Sequence, residues 1–208
     1  MAWHEYTIGV AERIENGRRI RVTIMYDPEP VSPREWDNLG TMVCFHKHYN
    51  LGDRLGCKHS FETPSQFLEF LEENEDKILV LPLYLMDHSG LSISVDDTMF
   101  RMVDSVGWDW GQVGWIYVTY EEIRKEYGVR RVTRKVLEKV KRVLIAEVEE
   151  YNQYLQGDVM GFVIEEHHPT ECWQTIDSCF GFYDIDSLLW HVPENYRDLV
   201  QEAWDNRE

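Results

Sequence analysis

Three side chains able to bind a metal or move a proton fall on alternate residues of the segment CFHKH: Cys44, His46 and His48. Alternate residues of an extended chain share one face, so the spacing predicts a strand that presents all three together. A thiolate and two imidazoles suit zinc, with Cys57 and His59, or the pair His167 and His168, available to complete four ligands. The segment has neither Cys-x-x-Cys nor His-Glu-x-x-His spacing, and a polar strand face interrupted by Lys47 accounts for the same residues without a metal. The expectation is therefore a polar face lining a pocket with no tightly bound cofactor, zinc being the alternative.

Asp87, His88 and Ser89 hold the three residue types of a hydrolytic triad. Neighbouring strand residues point to opposite faces, so contiguous members cannot form a relay. His88 can still act as a general base beside a carboxylate from elsewhere, Asp37 or Asp109 being candidates. The competing reading is a strand-end turn in which Asp87 and Ser89 serve backbone donors and Gly90 takes a positive φ. Turn residues follow both His-bearing segments, Asn50-Leu51-Gly52 after one and Ser89-Gly90 after the other. Neighbouring strands would then bring His46, His48, Asp87 and His88 to one sheet edge, where loops carry function.

Trp108, Trp110 and Trp115 cluster around Gly107, Gly111 and Gly114. Trp115 opens a strand and is expected in the core. Trp108 and Trp110, in the loop before it, are expected to be exposed, where an indole can stack on a planar ligand. GQVGW lacks the Lys and Ser or Thr of a phosphate-binding loop and the third glycine of a dinucleotide fingerprint. Between Arg124 and Arg142 nine Lys or Arg stand against two Glu; Arg130, Arg131, Arg134, Lys135, Lys139, Lys141 and Arg142 read either as a solvated helix face or as a patch for an anion. One ligand class that joins these features is a nucleotide, its base on Trp108 or Trp110 and its phosphate on Arg130 or Arg131.

The formal net charge is −17, which disfavours direct nucleic-acid binding, since that draws its affinity from cations neutralising phosphates. The last sixty residues, from Glu149 on, hold fourteen acids against Arg197 and Arg207. With 43% hydrophobic and 13% aromatic residues the chain is too apolar to stay disordered. No apolar run approaches the roughly 20 residues of a membrane span. The amino-terminal segment has neither a basic start nor a cleavable apolar stretch, and four sparse cysteines predict free thiols in a cytosol.

These residues must be positioned by a folded frame. Ile20, Val22 and Ile24 alternate with Arg19, Arg21 and Thr23 after Asn16-Gly17, the pattern of a hairpin. Thr63, Pro64 and Gln66 open a short amphipathic helix. KILVLPLYLMD is the most apolar strand, with Pro82 marking an edge or bulge. Residues 91–107 read as a long loop with one turn of helix, and Thr119 with Glu122 caps a helix ending at Gly128. From Thr133 to Gln156, Val136, Leu137, Val140, Val143, Leu144 and Val148 recur at three and four residues, predicting the longest helix. DVMGFVIEE, ECWQTID and CFGFYDI read as a meander, and VPENYRDLVQEAW as a closing helix. Strands and helices do not alternate strictly, so the prediction is a single α+β domain over residues 1–208, a mostly antiparallel sheet with helices on one face.

PREWDNLGTMVCFHKHYNLGD, LPLYLMDHSG and GQVGWIYVTYEEIRKEYGV resemble an uncharacterised family of proteins carried by bacteriophages and other mobile elements, over Tyr26 to Glu165. In place of that family's Pro-Trp-Asp-Ser segment this chain has Gly107-Trp108-Asp109-Trp110. The resemblance implies a small cytosolic phage protein acting in a bacterial host. Joined to the acidic charge, it leads to the expectation of a non-enzymatic inhibitor or modulator that meets a basic cleft on a host defence or transcription protein, in part by imitating DNA. The alternative is a ligand-binding or metal-dependent site built on His46, His48, Asp87 and His88, with Asp37 nearby.

Overall fold

The computed structural model describes residues 6–53, 61–168 and 172–207. In chain order the strands are β1 (Thr7–Glu15), β2 (Arg18–Tyr26), β3 (Thr41–Cys44), β4 (Ile78–Asp87), β5 (Leu91–Ser94), β6 (Trp110–Thr119), β7 (Met160–His168) and β8 (Cys172–Phe182). The helices are α1 (Pro64–Glu73), α2 (Thr98–Val103), α3 (Tyr120–Tyr127), α4 (Arg134–Gln156), α5 (Ile185–His191) and α6 (Arg197–Asp205). Every strand pairing is antiparallel, and the α+β class is as predicted. The contacts gather into two compact units, each with its own sheet: Met1–Val31 with Gly157–Glu208, and Ser32–Gln156. No helix among the described residues is long and apolar enough to cross a membrane.

The first unit is a four-stranded sheet in the order β1-β2-β7-β8. Asn16 and Gly17 both adopt positive φ between β1 and β2, the turn whose twist matches that of paired strands. Ile20, Val22 and Ile24 turn inward against Phe162 and Ile164 and against Leu199, Val200 and Ala203 of α6. A side chain at Gly9 would meet the Ala203 carbonyl at 2.0 Å, so glycine there lets α6 lie close on β1. The two strands expected in ECWQTID and CFGFYDI are one, β8, whose register shifts between Ile164 and Glu165 on its partner. A bulge reverses the inward and outward alternation, so one strand reads as two.

The second unit orders its strands β3-β6-β4-β5. Ile116 and Val118 of β6 face Val140, Leu144 and Val148 of α4, while Trp115 and Tyr117, on the opposite face, pack with Phe67 and Phe70 of α1. Helices thus cover both faces of this sheet. Thr63 caps α1 through the Gln66 amide, and Thr119 with Glu122 forms a capping box on α3, which stops at left-handed Gly128. Pro82 pairs with Trp115 on β6, whereas β5 reaches only Tyr84 to Asp87. The missing N–H therefore falls where β4 lacks a second neighbour, beside a register shift at Leu83 and Tyr84. Within residues 91–107 the expected loop contains β5 and α2; the Leu91 and Ile93 alternation after Ser89-Gly90 is the hairpin signal that marks β5.

Candidate functional site

β3 ends at Cys44, so the alternation does not carry His46 and His48 onto its face. The Cys44 thiol packs against the core of the second unit, and burial, with the Asp53 carboxylate adding, pushes it up to about 12. His46 lies in the turn beyond: its Nδ1 accepts hydrogen bonds from the backbone N–H of His48 (3.3 Å) and Tyr49 (3.2 Å), and its ring stacks on Tyr49 at 4.9 Å. The shared strand face expected of Cys44, His46 and His48 is thus replaced by a buried thiol and a turn-forming imidazole, with His48 exposed. Cys57 and His59 lie outside the described residues. Among the described residues no three His, Cys, Asp or Glu side chains gather as a metal would require.

Tyr49 nonetheless links this turn to the segment carrying Asp87 and His88. Its hydroxyl donates to the Asp87 carboxylate at 2.9 Å, and that bond is the main cause of a raised tyrosine pKa. His88 Nδ1 lies 2.7 Å from Asp109 Oδ2, and the Asp87 N–H donates to the Asp109 carbonyl at 2.7 Å. Ser89 (φ +55) and Gly90 (φ +155) make the β4–β5 turn, with the Ser89 hydroxyl donating to the His88 carbonyl. The hairpin turn with a positive-φ Gly90 is present, but Asp87 accepts from the Tyr49 hydroxyl and Ser89 donates to a carbonyl where both were expected to serve backbone donors; beside the turn, a carboxylate orients the His88 imidazole. The His88 and Asp109 side chains are 61% and 42% exposed, so the pair stands at the surface with the second imidazole nitrogen available to a proton.

Tyr49 also borders a pocket of about 420 Å³ with Leu91, Tyr151, Tyr154 and Leu155, floored by Arg34 and Asp53. The Arg34 side chain makes four hydrogen bonds. Its Nε and one terminal nitrogen donate to the two Asp53 oxygens (2.7 and 3.0 Å), that nitrogen also to the Gly40 carbonyl (2.6 Å), and the other to Glu147 (3.3 Å). Asp53 accepts further from the Met42 N–H, and Glu147 from those of Leu39 and Gly40. Gly52 donates to the Tyr151 hydroxyl at 3.1 Å. Burial raises the Glu147 carboxyl, while Arg34 and the two backbone donors pull it back. Arg34, Asp53 and Glu147 carry no motif spacing, but Glu147 has a signal: it lies three residues past Leu144 on the apolar stripe of α4, where a carboxylate needs a buried partner.

The remaining candidates are dispersed. Asp37 lines a separate hollow with Lys125, Glu126, Tyr127 and Glu147. Trp108 is exposed as expected, whereas Trp110 is half-buried against Tyr84 and Phe100, its indole donating to the Asp104 carbonyl. Arg130 and Arg131 are exposed in the α3–α4 connection. Trp108 precedes β6 and the two arginines follow α3, so the length of β6, about 30 Å for ten residues, separates the start of one connection from the helix that leads to the other. Comparison with protein-family models, curated proteins and solved structures finds no match.

Proposed function

We propose that the protein is a small acidic binding protein of phage origin that engages a basic surface on a host protein and thereby modulates or inhibits a nucleic-acid-directed defence or transcription system in the host cytoplasm. The observation that carries this reading is α1 with its flanks. From Phe61 to Asp76 there is no Lys or Arg, and Glu62, Glu69, Glu72, Glu73, Glu75 and Asp76 are all exposed. Phe67 anchors the helix by its opposite face. Glu69, Glu72 and Glu73 are helical neighbours roughly 5–6 Å apart, a row of fixed negative charge of the kind that steers association with a cleft built for phosphates. The test is capture of a host protein by the immobilised chain, with elution by duplex DNA and loss of capture in the triple variant E69Q/E72Q/E73Q. Captured proteins that duplex DNA never displaces would end this reading.

A second reading is favoured by the His88–Asp109 and Tyr49–Asp87 bonds, which support a ligand-binding or proton-transfer site between the β3 turn and the β4–β5 hairpin. His46→Ala and His88→Ala, tested separately in a host expressing the protein, should each fold normally and weaken its effect. Full effect from both variants would leave only the acidic-surface reading. Metal analysis of untagged protein checks the metal-dependent form of this site.

A further inference from the structure

We infer that the exposed face of α2 and the loop after it form a docking surface for a protein partner whose own face is an apolar stripe flanked by Lys or Arg. Met99, Met102 and Val103 stand at i, i+3 and i+4, one side of the helix, while Phe100 turns inward to pack with Trp110 at 6.4 Å. With Val106 and Trp108 they place five large apolar side chains within residues 99–108, each between 65% and 85% exposed. Single exposed apolar residues are ordinary; a contiguous group marks an interaction surface, and Trp and Met are enriched at the centres of such surfaces.

The loop displays Trp108 rigidly. The Asp104 carboxylate accepts from the backbone N–H groups of Val106, Gly107, Trp108 and Asp109, its carbonyl accepts from the Trp110 indole at 2.7 Å, and Gly107 takes φ +78. The apolar groups are thus held without the ordering cost of a mobile loop.

Charge selects the occupant. Asp96, Asp97, Asp104 and Asp109 alternate with the apolar residues along this segment, and the one cation between Leu91 and Trp110, Arg101, is bonded to Asp97 and lies over the Trp110 ring. A second copy would bring these carboxylates against their like, and an anionic lipid surface would repel them, whereas a basic-rimmed apolar face is attracted. The inference rests on the reading of the chain as a binding protein but uses an element other than α1.

The probe is a synthetic amphipathic helix of Leu and Lys, titrated against the full chain by calorimetry, with a Leu and Glu helix as control. The Lys helix should bind and the Glu helix should not. The double variant M102S/W108S, its fold checked by circular dichroism and melting, should bind at least about tenfold more weakly, a larger loss than that of E69Q/E72Q/E73Q. Equal binding by M102S/W108S overturns the inference; if the α1 variant alone loses binding, the docking surface is refuted while the acidic-binder reading stands. Absence of Lys-helix binding to any form also overturns it, leaving the α1 reading to its own DNA competition. Sedimentation as a dimer that W108S abolishes would assign the patch to a second copy, and partition onto phosphatidylcholine vesicles through Trp108 would assign it to lipid; either result overturns the proposed partner.

Discussion

Replacing Arg34 by Met keeps the aliphatic volume and removes the guanidinium that joins Asp53, Glu147 and Gly40. The Arg34 side chain is 3% exposed and its two carboxylate partners 13% and 12%, so its loss strands two charges in a poorly solvated space. Removing one partner of a buried ion pair costs roughly 3–5 kcal/mol. Asp53 retains the Met42 N–H and Glu147 retains those of Leu39 and Gly40, which places the expected loss at the lower end, about 3 kcal/mol. The loss should depend on pH. Burial already raises the Glu147 carboxyl above its ordinary value, and Arg34 is among the groups that lower it; without Arg34 it rises further. A carboxyl whose folded pKa exceeds its unfolded one binds more protons when folded, so its contribution is fully present below the unfolded value and is lost as pH rises through the folded value. The deficit of R34M should therefore shrink as pH falls from 7.5 toward the carboxylate range, and E147Q in the R34M background should relieve part of it at neutral pH. Hydrogen exchange of the β3 and β6 amides under increasing urea reads the second unit specifically. A deficit under about 1 kcal/mol, or one unchanged by pH, would refute the bracing role.

Three further outcomes are expected. Cys44, its thiol buried and pushed up to about 12, should resist an alkylating reagent at pH 8 in the native protein while exposed Cys172 reacts; similar rates by peptide mass mapping would contradict its placement. A Cβ at Gly114 would lie 1.9 Å from the Val43 carbonyl, whereas one at Gly111 meets nothing within 4 Å. Gly114→Ala should then cost about 3 kcal/mol by parting β3 from β6 and Gly111→Ala less than about 0.5 kcal/mol, measured by denaturant midpoints. Thr119→Ala removes half of the α3 capping box and should cost about 1 kcal/mol, a thermal-melt difference that vanishes if the cap is not formed.

Local signals were legible wherever one residue type enforces one geometry. Asn16-Gly17, the Thr63 and Thr119 caps, Gly128 and the three- and four-residue repeat of α4 all sit where their chemistry requires. The partition into two units was not, because β2 and β7 are neighbours whose pairing residues Tyr26 and Met160 lie far apart in sequence, and no local pattern reports such a pairing. The candidate site was half legible. Of the two carboxylates the sequence offers His88, Asp37 and Asp109, it is Asp109 that lies against the ring, but alternation extends a strand through His46 that Cys44 in fact ends. The link through Tyr49 and the Arg34 network depend on long-range contacts, which spacing along the chain does not encode.

The order of the sheet in the first unit also constrains how the chain comes together during synthesis. β2 leaves the ribosome before the whole of Ser32–Gln156, and its partner β7 only after it. Closing a loop of that length directly is entropically opposed, by an amount that grows with the logarithm of the span. Yet Ser32 and Leu155 line the same pocket, so folding of the inserted segment by itself draws its two ends together. The gap that β2 and β7 must bridge then shrinks from the full insertion to a few flanking residues, a saving of roughly 2 kcal/mol in closure entropy. The inserted unit thereby acts as the clasp of the sheet that encloses it in sequence. In a pulse-labelling experiment, amides of α4 and β6 should become protected before those of β7.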